Sequence, residues 1–173
     1  AFPAHAADFA LIQGGAFTMG DSFGNEAGCP DELPLHSLDV GTFHMEATEV
    51  TLSQWNEVLE WAQTNGYRNL YQGYAKADNH PVSSVTWYNA VKWCNARSER
   101  DGFTPCYYTS GSQTTIYRGG LPEYPAFSNG CVNWNANGYR LPTEAEWEKA
   151  ARGGVAGHRF AWATLDTIAH TNA

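Results

Sequence analysis

Residues 138–154 read GYRLPTEAEWEKAARGG, a helix with its start and stop both spelled out inside a chain otherwise short on regular pattern. Thr143 and Glu146 have the spacing of a capping box, in which each side chain satisfies a backbone N–H that the first helical turn leaves free. Glu144, Glu146 and Glu148 stand in the first turns, with Lys149 and Arg152 near the end, so each sign opposes the helix dipole at its own terminus. Gly153-Gly154 closes the helix. A helix of about ten residues is marginal alone and must be held by packing, for which Trp147, Ala150 and Ala151 form the expected buried face. Arg140 with Glu144 or Glu146 is the expected ion-pair network tying the helix to its loop. The stretch reads as a strut, not an active site.

Two more helices carry similar punctuation. Thr51 and Gln54 form a capping box ahead of Leu52, Trp55, Val58, Leu59 and Ala62, which recur at helical spacing until Asn65-Gly66. From Thr86, the residues Trp87, Ala90, Val91 and Cys94 make one apolar stripe that ends at Asp101-Gly102, with Trp93 off it. Between these helices the chain is broken by glycine and proline, 17 and 8 in 173 residues. Phe9–Asp21 reads as a hairpin turning at Gly14-Gly15, with Leu11, Phe17 and Met19 inward. Leu35–Val50 alternates like a strand broken at Gly41. Residues 103–134 carry three short β-like runs, PCYYTS, TTIYRGG and CVNW, and read as a small meander exposed for recognition.

The totals narrow the function classes. Length suits one domain. A net charge of −8 without any basic run argues against nucleic acid as a partner. No apolar run approaches the roughly 20 residues of a membrane span. Residues 1–8 read as a leader or linker. There Ala4-His5-Ala6, an A-x-A pattern before Ala7-Asp8, joins an even cysteine count in pointing to an exported protein.

Metal and catalytic motifs are sparse. Cys29, Cys94, Cys106 and Cys131 lack C-x-x-C spacing and are candidates for disulfides, whose pairing stays open, or for buried thiols. Asp21–Glu32 has the length of an EF-hand loop, but Phe23 and Glu26 occupy positions that need an oxygen ligand and a glycine, so that motif is rejected. His36, His44, His80, His158 and His170 show no H-x-H or H-E-x-x-H spacing. The aromatic loops are the candidate binding surface, through Tyr67, Tyr71, Tyr74, Tyr107, Tyr117 and Tyr124, because tyrosine stacks and hydrogen-bonds at low entropic cost.

GYRLPTEAEWEKAARGG, followed by HRFAW and DTIAHTNA, resembles the formylglycine-generating enzyme family, also called the sulfatase-modifying-factor family. GGAFTMGD, ELPLHSLDVGTFHMEATEVT and HPVSSVTWYNAVKWCNARSERDG agree in order, so the resemblance runs from about Phe9 to Ala173. It implies an α+β, C-type-lectin-like fold low in regular structure, with 9–173 forming the N-terminal part of a single domain and 103–134 an insertion. The implied activity is copper-dependent oxidation of a sulfatase cysteine to formylglycine. The family's copper-binding cysteine pair and calcium ligands follow the segment at which this sequence stops, so no catalytic residue carries over. Copper and calcium are expected only with that C-terminal half, or with a second chain supplying it. Cys94 matches a structural cysteine whose family partner lies in that half. The alternative is a non-catalytic lectin-like module for a glycan, peptide or protein, or a subunit of an extracellular assembly.

Overall fold

The computed structural model describes residues 9–21, 32–119 and 126–154. The chain divides into two compact units, one built on residues 48–141 and the other on 7–47 with 142–173.

The unit built on 48–141 is organised by two helices, α1 (Leu52–Thr64) and α2 (Trp87–Arg100). The Thr51 capping box forms as its spacing requires: Gln54 N donates to Thr51 Oγ1, and Thr51 N donates to Gln54 Oε1 at 2.8 Å. The next two orphan N–H groups of α1, on Leu52 and Ser53, reach His80 O and Asp78 O across the following loop. Gly66, at φ +84°, turns the chain out of α1 in a conformation that side chains disfavour. Trp55, Val58, Leu59 and Ala62 are buried, as the period demands.

Helix α2 departs from the one-stripe expectation. Val91 through Ser98 are all buried, so the helix is covered on every side. Trp93 is therefore a core residue: its ring stacks on Trp55 at 5.6 Å and 5°, and its Nε1–H donates to Trp55 O. Trp87, placed on the stripe by spacing, is instead half-exposed. The physical reason lies beyond periodicity. Residues 103–119 and 126–139 wrap the polar side of α2 and are held there by side chains whose spacing alone would leave them solvent-facing.

Asn95 is the main such tether. Wholly buried, it donates through Nδ2 to Tyr107 O (2.8 Å) and Tyr117 O (3.0 Å), and it accepts from Tyr107 N (3.0 Å). Ser98 Oγ accepts from Tyr139 N, and Arg97 lies over the Tyr139 ring at 4.3 Å. The three β-like runs do meet, through bridges Tyr107–Val132 and Tyr108–Ile116, and they are divided between core and surface: residues 105–108, Tyr117 and Cys131 are buried, whereas Thr109, Ser110, Thr114, Thr115 and Trp134 are exposed.

The other unit is a long antiparallel ribbon with a helix laid on it. Strands β1 (Phe9–Ile12) and β2 (Gly15–Met19) pair with β4 (Phe43–Glu46) and β3 (His36–Val40), not with each other. Both ladders keep one register, Phe9 facing Glu46 and Met19 facing His36, so the expected Phe9–Asp21 hairpin is replaced by the pairing of both strands with 36–46. Pairing along the whole length of 36–46 satisfies more backbone than a four-residue hairpin. Gly14-Gly15 serves as a kink where the ladder is interrupted. Gly14 N donates to Thr42 Oγ1, and a Cβ at Gly14 would meet Val40 O at 2.9 Å. The break at Gly41 falls where the alternation places it. Leu11, expected inward, is half-exposed, while Phe17 and Met19 are partly buried.

Helix α3 (Glu144–Arg152) forms with its capping box, its acidic first turn, its basic last turn and a left-handed Gly153 at φ +57°. Its buried face is not the expected one. Trp147 is 62% exposed and no residue of the helix is fully buried. The contact to the ribbon is polar: Glu148 accepts from Gly20 N (3.1 Å), Arg152 donates to Gly20 O (3.1 Å), and Lys149 donates to Gly15 O (3.1 Å). Charged side chains that cross a short distance to backbone groups outrank an apolar stripe only three residues wide.

Candidate functional site

The ribbon and α3 enclose a cleft of about 580 Å³. Leu11, Phe17 and Leu35 supply apolar wall, and Lys149 and Arg152 supply the cations. Each cation is held in place. Arg152 pairs with Glu148 at 2.7 Å while reaching Gly20 O. Lys149 sits 5.7 Å over the Phe17 ring. The volume is in the range of a small-molecule or side-chain pocket. Thr18 and Ser37 add hydroxyls to the lining. The sequence marked Lys149 and Arg152 as charges complementing the helix dipole. Their place beside a cleft depends on ribbon pairing, which no local pattern reveals.

A second polar constellation lies in the α1–α2 unit. Tyr67 donates to Glu99 Oε2 at 2.6 Å, and Arg118 grips the same carboxylate with two nitrogens, Nε to Oε2 at 2.8 Å and Nη2 to Oε1. Burial opposes the Glu99 charge, but the hydrogen bonds from Arg118 and Tyr67 outweigh it and lower the Glu99 pKa. Burial, with Glu99 beside it, pushes the Tyr67 phenol far above its ordinary value. This is a lock between loop 66–70, α2 and residue 118. Nearby, Lys92 is wholly buried and donates to the carbonyls of Arg68 and Asn69. These carbonyl and carboxylate partners show why polar residues of α2 are inside, a role that their spacing alone did not signal.

The residues singled out from sequence separate into distinct groups. Tyr67, Tyr107 and Tyr117 are buried at 6%, 4% and 1% exposure, which corrects their place on a binding surface: they are core anchors. The reason is that their rings pack under α2 while polar atoms find internal partners, Tyr107 OH accepting from Leu141 N. Tyr71 and Tyr74 are exposed at 53% and 65%. Tyr124 and Cys29 lie outside the described residues. Cys94, Cys106 and Cys131 are buried, and no disulfide joins any of these three to another. Arg140 lies over the Trp134 ring at 5.2 Å and donates to Leu141 O. Glu144 is exposed, Thr143 and Glu146 complete their cap, and Glu148 pairs with Arg152 within α3.

Copper(I) is held by closely placed thiolates. Burial pushes the Cys106 thiol pKa up, with Arg140 opposing only in part, so the environment disfavours the anion a metal needs. Among the described residues no group of three His, Cys, Asp or Glu is arranged to hold a metal ion. No helix among them is long and apolar enough to cross a membrane.

With this architecture in view, comparison with known proteins fixes the family. The model of the sulfatase-modifying factor enzyme 1-like domain matches residues 2–173, and the chain belongs to that family. Chaperone protein LppX of Paenibacillus barcinonensis is 34% identical over 155 residues, covering 90% of this chain and 49% of LppX. The formylglycine-generating enzyme of Streptomyces coelicolor is 32% identical over 165 residues, covering 87% of this chain and 49% of the enzyme. In fold, the crystal structure of CarF superposes with a TM-score of 0.69 at 30% identity, over 89% of this chain and 62% of CarF. Treponema denticola variable protein 1 shares the fold, with a TM-score of 0.65 at 24% identity over 95% of this chain and 58% of that protein. The α+β formylglycine-generating-enzyme-like fold is thus established. The chain spans about half the length of the curated relatives it matches.

Proposed function

We propose that residues 1–173 are the scaffold of a formylglycine-generating-type oxidase, in which a protein cysteine is converted to formylglycine by residues outside this sequence. The observation that carries the reading is the family match over 2–173, joined by formylglycine-generating enzymes at 28–32% identity, each covered over 87% of this chain. On this reading the described residues position the rest. The capped α3 fixes the ribbon, and the Tyr67–Glu99–Arg118 lock with Asn95 fixes the loops around α2. Copper, and calcium with it, would be held by the polypeptide that completes the domain. Export of the protein fits the same reading.

The test is direct. The native protein, supplied with copper(I) and oxygen, is incubated with a cysteine-containing sulfatase peptide, and the aldehyde is trapped with an aminooxy probe. Aldehyde formation supports the oxidase. Absence of aldehyde in copper-loaded, folded protein overturns it.

A second reading has its own support. A relative named as a chaperone is as similar as the enzymes, and Tyr71 and Tyr74 stand exposed on the loop that follows α1. A non-catalytic module would use these two tyrosines for a peptide, glycan or protein surface. Tyr71→Ala or Tyr74→Ala would then abolish binding without unfolding.

A further inference from the structure

The cleft between the ribbon and α3 reverses the charge of the chain around it. The chain holds 18 Asp and Glu against 10 Lys and Arg, yet the described residues lining the cleft include Lys149 and Arg152 and no carboxylate. The two cations differ in their partners. Arg152 is committed to the Glu148 carboxylate and to Gly20 O. Lys149 donates one hydrogen bond, to Gly15 O, and rests over the Phe17 ring. An ammonium carries three donors, so Lys149 has hydrogen-bonding capacity left for an anion. Thr18 Oγ1 and Ser37 Oγ stand 3.5 Å apart in the same lining, longer than an ordinary O–H···O bond, so neither satisfies the other.

We infer that this cleft is a binding site for a small monocarboxylate with an apolar body, its carboxylate paired with Lys149 and its body against Leu11, Phe17 and Leu35. An apolar wall with a few placed polar groups is how a small-molecule pocket holds and orients its ligand. The single charge follows from α3. The residues that close the cleft, Lys149 to Gly154, belong to the C-terminal end of the helix, where its dipole is negative. A monoanion beside Lys149 tolerates that end. A dianion such as a phosphate monoester meets only one cation without a carboxylate partner there. A free acid is favoured over a peptide because Gly15 O, Gly20 N and Gly20 O already have side-chain partners, so these backbone groups offer a peptide nothing to pair with. The inference holds whether or not the protein oxidises cysteine.

Isothermal titration of the native protein with octanoate tests it, with octylammonium, octyl phosphate and N-acetyl-leucyl-leucine as comparison ligands. Octanoate should fill one saturable site, and octylammonium should not bind. Lys149→Met should weaken octanoate on the order of tenfold, the worth of one charge-assisted hydrogen bond, and Lys149→Arg should keep the affinity. Leu11→Glu, at a half-exposed position of the wall, should weaken it by as much through like charge and decides the matter if Lys149→Met does not fold. No saturable octanoate binding, or binding unchanged in Leu11→Glu, overturns the site. Equal binding of octylammonium overturns its charge selection. Tighter binding of octyl phosphate or of the dipeptide overturns the monocarboxylate assignment.

Discussion

Replacing Asn95 by Leu keeps the size of the side chain and removes three hydrogen bonds from the middle of the α1–α2 unit. The structure sets the magnitude. Tyr107 O retains Tyr117 N as a donor, so it is not orphaned. Tyr107 N loses Asn95 Oδ1, and Tyr117 O loses Asn95 Nδ2. Each buried backbone group deprived of its partner costs about 1–3 kcal/mol, so the two together cost roughly 2–6 kcal/mol, less a small gain from burying Leu. A net loss of about 3–4 kcal/mol is a large part of the 5–15 kcal/mol that holds a domain together. With a urea slope of about 2 kcal/mol per molar, the midpoint falls by roughly 1.5–2 M. Equilibrium urea unfolding of the native protein and the variant, followed by tryptophan fluorescence, measures this. Asn95→Asp should be at least as damaging, because a carboxylate keeps the acceptor but donates to neither carbonyl and buries a charge. A midpoint within about 0.3 M of wild type, the range of ordinary surface substitutions, would refute the tether. The 103–119 segment would then be held by its remaining contacts, the Arg118–Glu99 pair and the Leu141 N–Tyr107 OH bond among them.

Other expectations follow from single contacts. Thr143→Ala removes the α3 N-cap and should cost about 1 kcal/mol, with loss of helical signal on thermal unfolding. Gly138→Ala sets a Cβ against Thr104 O and the Ser98 side chain, where backbone cannot yield; overpacking of this kind costs about 1–3 kcal/mol and lowers Tm. Glu99 has a lowered pKa, so its stabilisation is full above the unfolded carboxyl pKa and is lost as pH falls through the folded one. Stability of Glu99→Gln should therefore depend less steeply on pH in the acid range. Burial, helped by the hydrogen bond to Asp101, pushes Tyr139 up to about 12. Its contribution is full below the unfolded phenol pKa of about 10 and disappears as pH rises through the folded value, and Tyr139→Phe should flatten that alkaline limb.

The helices were legible because their ends are chemical. Thr51 with Gln54 and Thr143 with Glu146 satisfy specific N–H groups, and a cap works the same way whatever surrounds it. The faces were legible only where one side was solvated. The period of α1 identified its four buried residues, whereas α2, covered all round, hid Trp93 and Asn95 from any stripe. Ribbon pairing failed for a related reason: Gly14-Gly15 suits a turn and a kink equally, and the choice depends on residues 36–46 finding 9–19. Tyrosines are ambiguous in the same way, since Tyr107 and Tyr71 have one chemistry and opposite exposures. The cleft beside Lys149 and Arg152 was not visible, because its walls come from strands and a helix far apart in sequence.

The central claim is that this sequence is scaffold, with the metal chemistry placed in polypeptide outside it. Copper(I) titration of the native protein against a competing chelator, repeated with Cys94→Ala, Cys106→Ala and Cys131→Ala, tests it most directly. The account predicts one tight copper(I) site whose affinity is unchanged in all three variants. Loss of that site in any folded variant would place the metal on a thiol of this chain and contradict the account.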